Sequence, residues 1–191
     1  MTTTESGKIR VWDPVVRIFH WTLALSFLVA WITEDELMTP HVWAGYLITA
    51  LLVIRIVWGF IGTPHARFRD FVYSPAVIRS YIRKMLSHSE PRYLGHNPAG
   101  GVMVTLLILS LLITVISGIA LYGNTDLAGP MAGFFQGEYS ADIFEELHEF
   151  FANFTLFLVI LHIGGVIWSS FAHRENLVRS MLTGVKEAKE S

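Results

Sequence analysis

The chain has 191 residues, of which 52% are hydrophobic and 16% charged, with a formal net charge of −2 when histidines are neutral. That balance excludes disorder, a nucleic-acid-binding surface and an ordinary soluble domain, all of which carry more charge. There is no cysteine, which excludes disulfides, thiolate metal sites, iron–sulfur clusters and thioether-linked haem, and leaves eight histidines as the metal-binding chemistry.

Crossing a bilayer takes about 20 apolar residues. Four segments qualify, at residues 15–33, 42–61, 101–122 and 143–171. The first reads as a retained helix and not a cleaved leader, because no small-residue cleavage site follows it and it contains Arg17 and His20. Between the second and third, Ser74-Pro75 signals a helix start with proline in the first turn. Val77, Ile78, Tyr81, Ile82, Met85 and Leu86 then recur at helical spacing, with Arg79, Arg83 and Lys84 between them. This pattern predicts an amphipathic helix lying on the membrane surface. Asn97-Pro98-Ala99-Gly100-Gly101 punctuates the start of the third span. The expectation is an all-α, integral-membrane four-helix bundle, a single domain over residues 1–191 with no internal repeat.

The cations fall on one side. Lys8, Arg10 and Arg17 lie at the first span's start, Arg55 toward the end of the second, and Arg67, Arg69, Arg79, Arg83, Lys84 and Arg92 between the second and third. Arg174, Arg179, Lys186 and Lys189 follow the fourth, which accounts for all 14 Lys and Arg, and residues 34–40 and 123–142 contain none. The positive-inside rule then puts both termini in the cytoplasm. The opposite face is acidic, with Glu34, Asp35, Glu36, Asp126, Glu138, Asp142, Glu145, Glu146 and Glu149. Such a face is either a solvated surface or a dock that attracts a cationic redox partner.

His65, His88, His96 and His173 fall in cytoplasmic loops or at a span end, where solvation is the simplest reading. Histidine inside a span is costly and calls for a partner or a function. His148 and His162 are 14 residues apart on the fourth span, close to four helical turns, so they share a face about 21 Å apart along the axis. His41 opens the second span, and His20 lies 14 residues before Glu34 at the end of the first. By depth, His41 pairs with His148 near the outer face, and His20 with His162 toward the cytoplasm. Two imidazoles facing across a bundle core suit the axial ligation of a b-type haem. Hydrogen-bonded core histidines and a proton relay remain open, and zinc lacks a third and fourth ligand at either level. Arg55, 14 residues after His41, is level with the deeper pair; Arg17 is one turn before His20. Either guanidinium is placed to bind a haem propionate or to snorkel to the interface. Gly45, Gly118, Gly164 and Gly165 would admit a macrocycle or serve helix packing.

Several stretches resemble the bacterial cytochrome b561 and nickel-hydrogenase b-type cytochrome family. They are Val11-Trp12-Asp13-Pro14-Val15-Val16-Arg17-Ile18-Phe19-His20-Trp21, His41-Val42-Trp43-Ala44-Gly45-Tyr46 and Arg55-Ile56-Val57-Trp58-Gly59-Phe60. Tyr93-Leu94-Gly95-His96-Asn97-Pro98 is similar to the hydrogenase-like branch, and Glu146-Leu147-His148-Glu149-Phe150-Phe151-Ala152-Asn153 running on to His162 to the family's two-histidine helix. Arg174-Glu175-Asn176-Leu177-Val178-Arg179-Ser180-Met181 continues the likeness, which covers about residues 11–186. The resemblance implies a bacterial inner-membrane cytochrome with two non-covalent b haems, its ligand positions falling on His20, His41, His148 and His162. It implies electron transfer between a periplasmic dehydrogenase (such as a hydrogenase) or c-type cytochrome and the membrane quinone pool, by a subunit or carrier more than by a self-sufficient enzyme.

The alternatives are a stand-alone quinone-reducing oxidoreductase, such as a superoxide oxidase, and a haem-free transporter or scaffold. A superoxide oxidase would favour a cationic outer funnel, and the outer segments hold no Lys or Arg. For a quinone contact the sequence offers His96, Asn97 and Arg92 at the inner level, and Trp43, Tyr139 and Glu149 at the outer one.

Overall fold

The computed structural model describes residues 3–4, 7–34 and 36–188. In chain order the elements are β1 (Thr3–Thr4), β2 (Lys8–Arg10), α1 (Pro14–Ile32), α2 (Met38–Ile61), α3 (Pro75–Leu86), α4 (Pro98–Thr125), α5 (Glu138–Ala172), α6 (Leu177–Thr183) and β3 (Val185–Glu187), with a single 3₁₀ turn at Phe68–Asp70 before α3. The protein belongs to the all-α membrane helical-bundle class, and α1, α2, α4 and α5 are each long and apolar enough to cross a bilayer. Asp35 and Lys189, both part of the charge map, lie outside the described residues.

All four spans stand where apolar content places them, and the differences are at their ends. α5 begins at Glu138, five residues before the predicted start, because its first turn is polar and carries no apolar signal. An acidic residue is favoured there by the helix dipole. α4 begins at Pro98, and Asn97 caps it by accepting a 2.7 Å bond from the Gly100 amide. α3 forms as expected with Pro75 in the first turn, but the Ser74 side chain makes no capping bond.

The chain divides into two compact units. One holds the residues up to Trp21, Ile54–Thr105 and those from Ile160 onward. Its core is Val11, Trp12, Val16 and Ala66, packed by Ile9, Trp58, Leu94 and Met181. Asp13 ties this core together. Its Oδ1 accepts from the Val16 amide at 3.0 Å, capping α1, while Oδ2 accepts from Trp58 Nε1 at 3.2 Å and from the Thr63 hydroxyl at 2.5 Å. Burial alone would push this carboxyl up, but those bonds outweigh it and hold Asp13 below its usual value.

The same unit contains a small antiparallel sheet, ordered β1-β2-β3, which no feature of the sequence announced. Ile9 pairs with Lys186 and Arg10 with Val185, so the two ends of the chain are joined. Gly184 makes the join possible. It ends α6 in the left-handed region at φ +83°, and its carbonyl accepts from the amides of Val11 (2.9 Å) and Trp12 (3.1 Å). Lys186 is buried, with Nζ 3.3 Å from Glu175 Oε2 and donating to the Tyr93 carbonyl at 3.3 Å. Arg92 pairs with the same carboxylate and donates to the Glu187 carbonyl at 2.7 Å.

The other unit holds Thr22–Val53 and Leu106–Val159. Its buried side chains include Ile48, Leu51, Leu52, Ile108, Leu111, Val115 and Leu158. Ser110, Thr114 and Ser117 are buried on one side of α4, and Ser110 Oγ is 2.7 Å from Thr155 Oγ1 on α5. Each of those three hydroxyls also has a backbone carbonyl to donate to, so the stripe adds no unpaired polar group.

Candidate functional site

The four intramembrane histidines fall into two pairs, each within one compact unit. In the second unit, His41 on α2 and His148 on α5 have ring centres 5.9 Å apart. In the first, His20 on α1 and His162 on α5 are 6.2 Å apart. An iron bound at about 2 Å to a nitrogen of each ring, with each ring centre about 1.1 Å behind its nitrogen, separates the centres by about 6.2 Å. Both pairs therefore have the spacing for one metal between them. Among the described residues there is no group of three or more His, Cys, Asp or Glu side chains able to hold a metal ion. Two imidazoles are what each level offers, and that donor set fits a b-type haem.

The His41–His148 pair is oriented by the backbone. His41 Nδ1 lies 2.9 Å from the Ala30 carbonyl of α1, and His148 Nδ1 lies 2.8 Å from the Thr114 carbonyl of α4. A carbonyl only accepts, so Nδ1 carries the proton in both rings and Nε2 keeps its lone pair for a metal. Ala30 is in the last turn of α1, where its carbonyl accepts only long bonds, 3.4 Å each, from the Thr33 amide and hydroxyl. Thr114 is within α4, and His148 reaches it because residue 118, one turn on, is glycine. A Cβ on Gly118 would lie 2.7 Å from His148 Cε1 and 2.8 Å from Nδ1. Gly118 thus makes room for the imidazole and not for a macrocycle. At Gly45, Gly164 and Gly165 a Cβ would meet nothing within 4 Å, so the helix surface there is open to a large ligand.

The His20–His162 pair has a different environment. His20 Nδ1 is buried and has no hydrogen-bond partner. Arg55 belongs to the same unit, only 4% exposed, with its guanidinium over the Phe68 ring at 5.2 Å and the Phe71 ring at 5.6 Å. Its Nη1 is buried and unbonded. A buried cation with an unspent donor is what a haem carboxylate would satisfy. Arg17 is placed otherwise. Its Nη2 donates to the Leu182 carbonyl, tying α1 to α6, while its Nε remains buried and unbonded.

His96 is not the solvated loop residue expected. Its ring packs against Trp12 at 4.8 Å and Phe71 at 4.9 Å, and its Nδ1 is buried without a partner. Burial first, and then the charge of Arg55, pushes it down to about 3, so the imidazole is neutral. Its two neighbours in the quinone list are spoken for: Asn97 caps α4 and Arg92 pairs with Glu175. Trp43 and Tyr139 are largely exposed, at 69% and 80%. Sequence reasoning missed Asp13, Phe71 and the two orienting carbonyls. Asp-Pro before an apolar run was a legible capping signal for the first; backbone carbonyls leave no trace in residue type.

Apolar spans that carry imidazole pairs spaced for an axial metal define a b-type membrane cytochrome, a haem-binding protein of electron transport. The chain belongs to the prokaryotic cytochrome b561 family, whose sequence pattern matches residues 11–184. It is similar to proteins named probable Ni/Fe-hydrogenase B-type cytochrome subunit. The one from Rhizobium leguminosarum bv. viciae is 25% identical, over 97% of this chain and 92% of the relative. That from Rhodobacter capsulatus is 24% identical over 96% and 83%, and that from Cupriavidus necator 24% over 94% and 87%. No solved structure matches the chain.

Proposed function

We propose that this protein holds two b haems, one between His41 and His148 and the other between His20 and His162, and carries electrons across the bacterial inner membrane. The observation that carries the reading is the pair of imidazole–imidazole separations, 5.9 and 6.2 Å, each right for one iron. Bound haem supplies a one-electron couple inside an apolar barrier. The chain's own part is to hold and tune it. His41 and His148 spend Nδ1–H on carbonyls, which fixes their tautomer. Arg55 offers its unbonded Nη1 to a propionate at the other site, and Arg17 its Nε.

The electron's end points are read from charge and from the relatives' names. Both termini are cytoplasmic in this reading, supported by the absence of Lys and Arg from residues 34–40 and 123–142. The described acidic residues there and at the start of α5 are all exposed, which suits a cationic periplasmic partner. The relatives' names make a nickel–iron hydrogenase the first candidate, with another dehydrogenase or a c-type cytochrome behind it. The quinone pool is the partner within the membrane, with His96 the candidate contact. Its Nδ1 alone among the six candidate side chains is buried and without a partner.

The test is a reduced-minus-oxidised spectrum of the detergent-purified protein, with haem counted by pyridine haemochrome. Low-spin b-type bands at about two haems per chain are expected from two bis-histidine pairs. A single haem per chain would remove one pair from the proposal.

A further inference from the structure

The two histidine pairs sit in opposite electrostatic surroundings. The unit that holds His41 and His148 contains nine of the 16 carboxylates and no Lys or Arg. All 14 Lys and Arg fall in the unit that holds His20 and His162. Many of these charges are exposed, where water and salt screen them. Arg55 is not: it is 4% exposed, and its Nη1 has no partner among the described residues.

Arg55 also stands near the level of its pair. Asp13 accepts from Trp58 Nε1 at 3.2 Å, which places the start of α1 beside the end of α2. Arg55 lies three residues before Trp58, about 4.5 Å along α2, and His20 seven residues after Asp13, about 10.5 Å along α1. Successive spans run in opposite directions, so the two levels differ by about 6 Å. The Phe68 and Phe71 rings against the guanidinium keep water from it, so its charge acts at low dielectric.

The ligands differ in the same sense. His41 and His148 each direct Nδ1–H to a backbone carbonyl, at 2.9 and 2.8 Å. Such a bond makes the ring a stronger donor through Nε2 and favours the oxidised metal. His20 Nδ1 is buried and has no such partner among the described residues, so that ring donates less. Reduction removes one unit of positive charge from a site. It is therefore favoured beside a buried cation, and opposed by carboxylates and by strongly donating ligands.

We infer that the His20–His162 site holds an added electron more tightly than the His41–His148 site, with the buried Arg55 cation and the unbonded Nδ1 of His20 as the causes. The inference rests on the two-haem reading proposed above and gives it a direction. An electron passed between the sites oxidises one iron and reduces the other, with no bond made or broken. At equilibrium it rests in the basic unit, so a donor docked on the acidic one delivers downhill.

The experiment is a potentiometric titration of the detergent-purified full chain, followed by its visible spectrum, with dithionite as reductant and ferricyanide as oxidant. Two components are expected, differing by on the order of tenfold in electron affinity, which is about 59 mV for a one-electron couple. His20→Ala with His162→Ala should delete the higher component, and His41→Ala with His148→Ala the lower. Arg55→Gln should move the higher component down and leave the lower in place, and Arg55→Lys should restore most of the gap. Haem counted by pyridine haemochrome separates two kinds of failure. Fewer than two haems in the unaltered protein fails the haem reading and the inference with it. Two haems sharing one midpoint, or a higher component deleted along with His41 and His148, overturn the inference alone. So does an unmoved higher component in a haem-replete Arg55→Gln protein.

Discussion

Gly118 decides whether His148 can act. The ring is held by a 2.8 Å bond to the Thr114 carbonyl, and only the missing side chain at position 118 lets it come so close. Gly118→Ala puts a methyl 2.7 Å from His148 Cε1. The ring must move, and the bond that fixes its tautomer is lost. Partners of this kind are worth about 10- to 100-fold in metal affinity. If each pair holds a haem as proposed, the expected outcome is a protein that keeps the one between His20 and His162 but loses the other on dilution, seen as a halved haem count. Direct replacement sorts the same assignment. His41→Ala and His148→Ala should give one spectrum, His20→Ala and His162→Ala another, and each variant should retain a single haem. A variant of any of the four with full haem and unchanged bands would remove that residue from the site.

Between elements, the recurring device is one buried polar group serving several partners. Asp13 caps α1 and receives Trp58 and Thr63 from the end of α2 and the turn beyond it. Asp13→Asn keeps one acceptor but turns an amide toward two donors, a mismatch expected to cost about 1–3 kcal/mol. The pH dependence follows from its lowered carboxyl. The unfolded chain binds a proton at Asp13 more readily than the folded one, so stability rises with pH through this group. Its contribution is present above the usual carboxylate value, about 4, and is lost as pH falls below it. Thermal unfolding in detergent should show a melting temperature that drops below pH 4 in the unaltered protein, with a shallower drop in Asp13→Asn. Equal slopes would mean the carboxylate's charge contributes nothing. The elements themselves were legible to very different degrees. The spans and α3 declare themselves through apolar runs and periodicity, which are local properties of the chain. The strands are two or three residues long and pair the two ends of the chain. No local window contains both partners. The imidazole pairs lie between these extremes. Helical rise together with depth counted from the span ends matched His148 with His41 and His162 with His20, whereas the packing of His96 depends on Trp12 and Phe71, distant in sequence.

Across the whole molecule the dominant feature is the separation of charge, with every Lys and Arg in segments that the positive-inside rule assigns to one face and an excess of carboxylates on the other. One asymmetry serves two purposes. In the proposed topology it sets orientation during insertion, and in the proposed electron transfer it leaves a negative surface that raises the encounter rate of a positive partner. The two can be separated, because orientation depends on Lys and Arg and little on Asp and Glu. Asp142→Asn with Glu145→Gln and Glu146→Gln neutralises three exposed carboxylates at the start of α5 while leaving every cation in place. Orientation, read by reporter fusions at the C-terminus, should be unchanged. The second-order rate of electron exchange with a cationic c-type cytochrome should fall by about tenfold at low salt, within the range electrostatic steering provides. The difference should fade toward 1 M salt, where the screening length is about 3 Å. A rate that falls equally at every ionic strength would point to lost contacts and not lost steering, and an unchanged rate would leave the acidic face as a solvated surface.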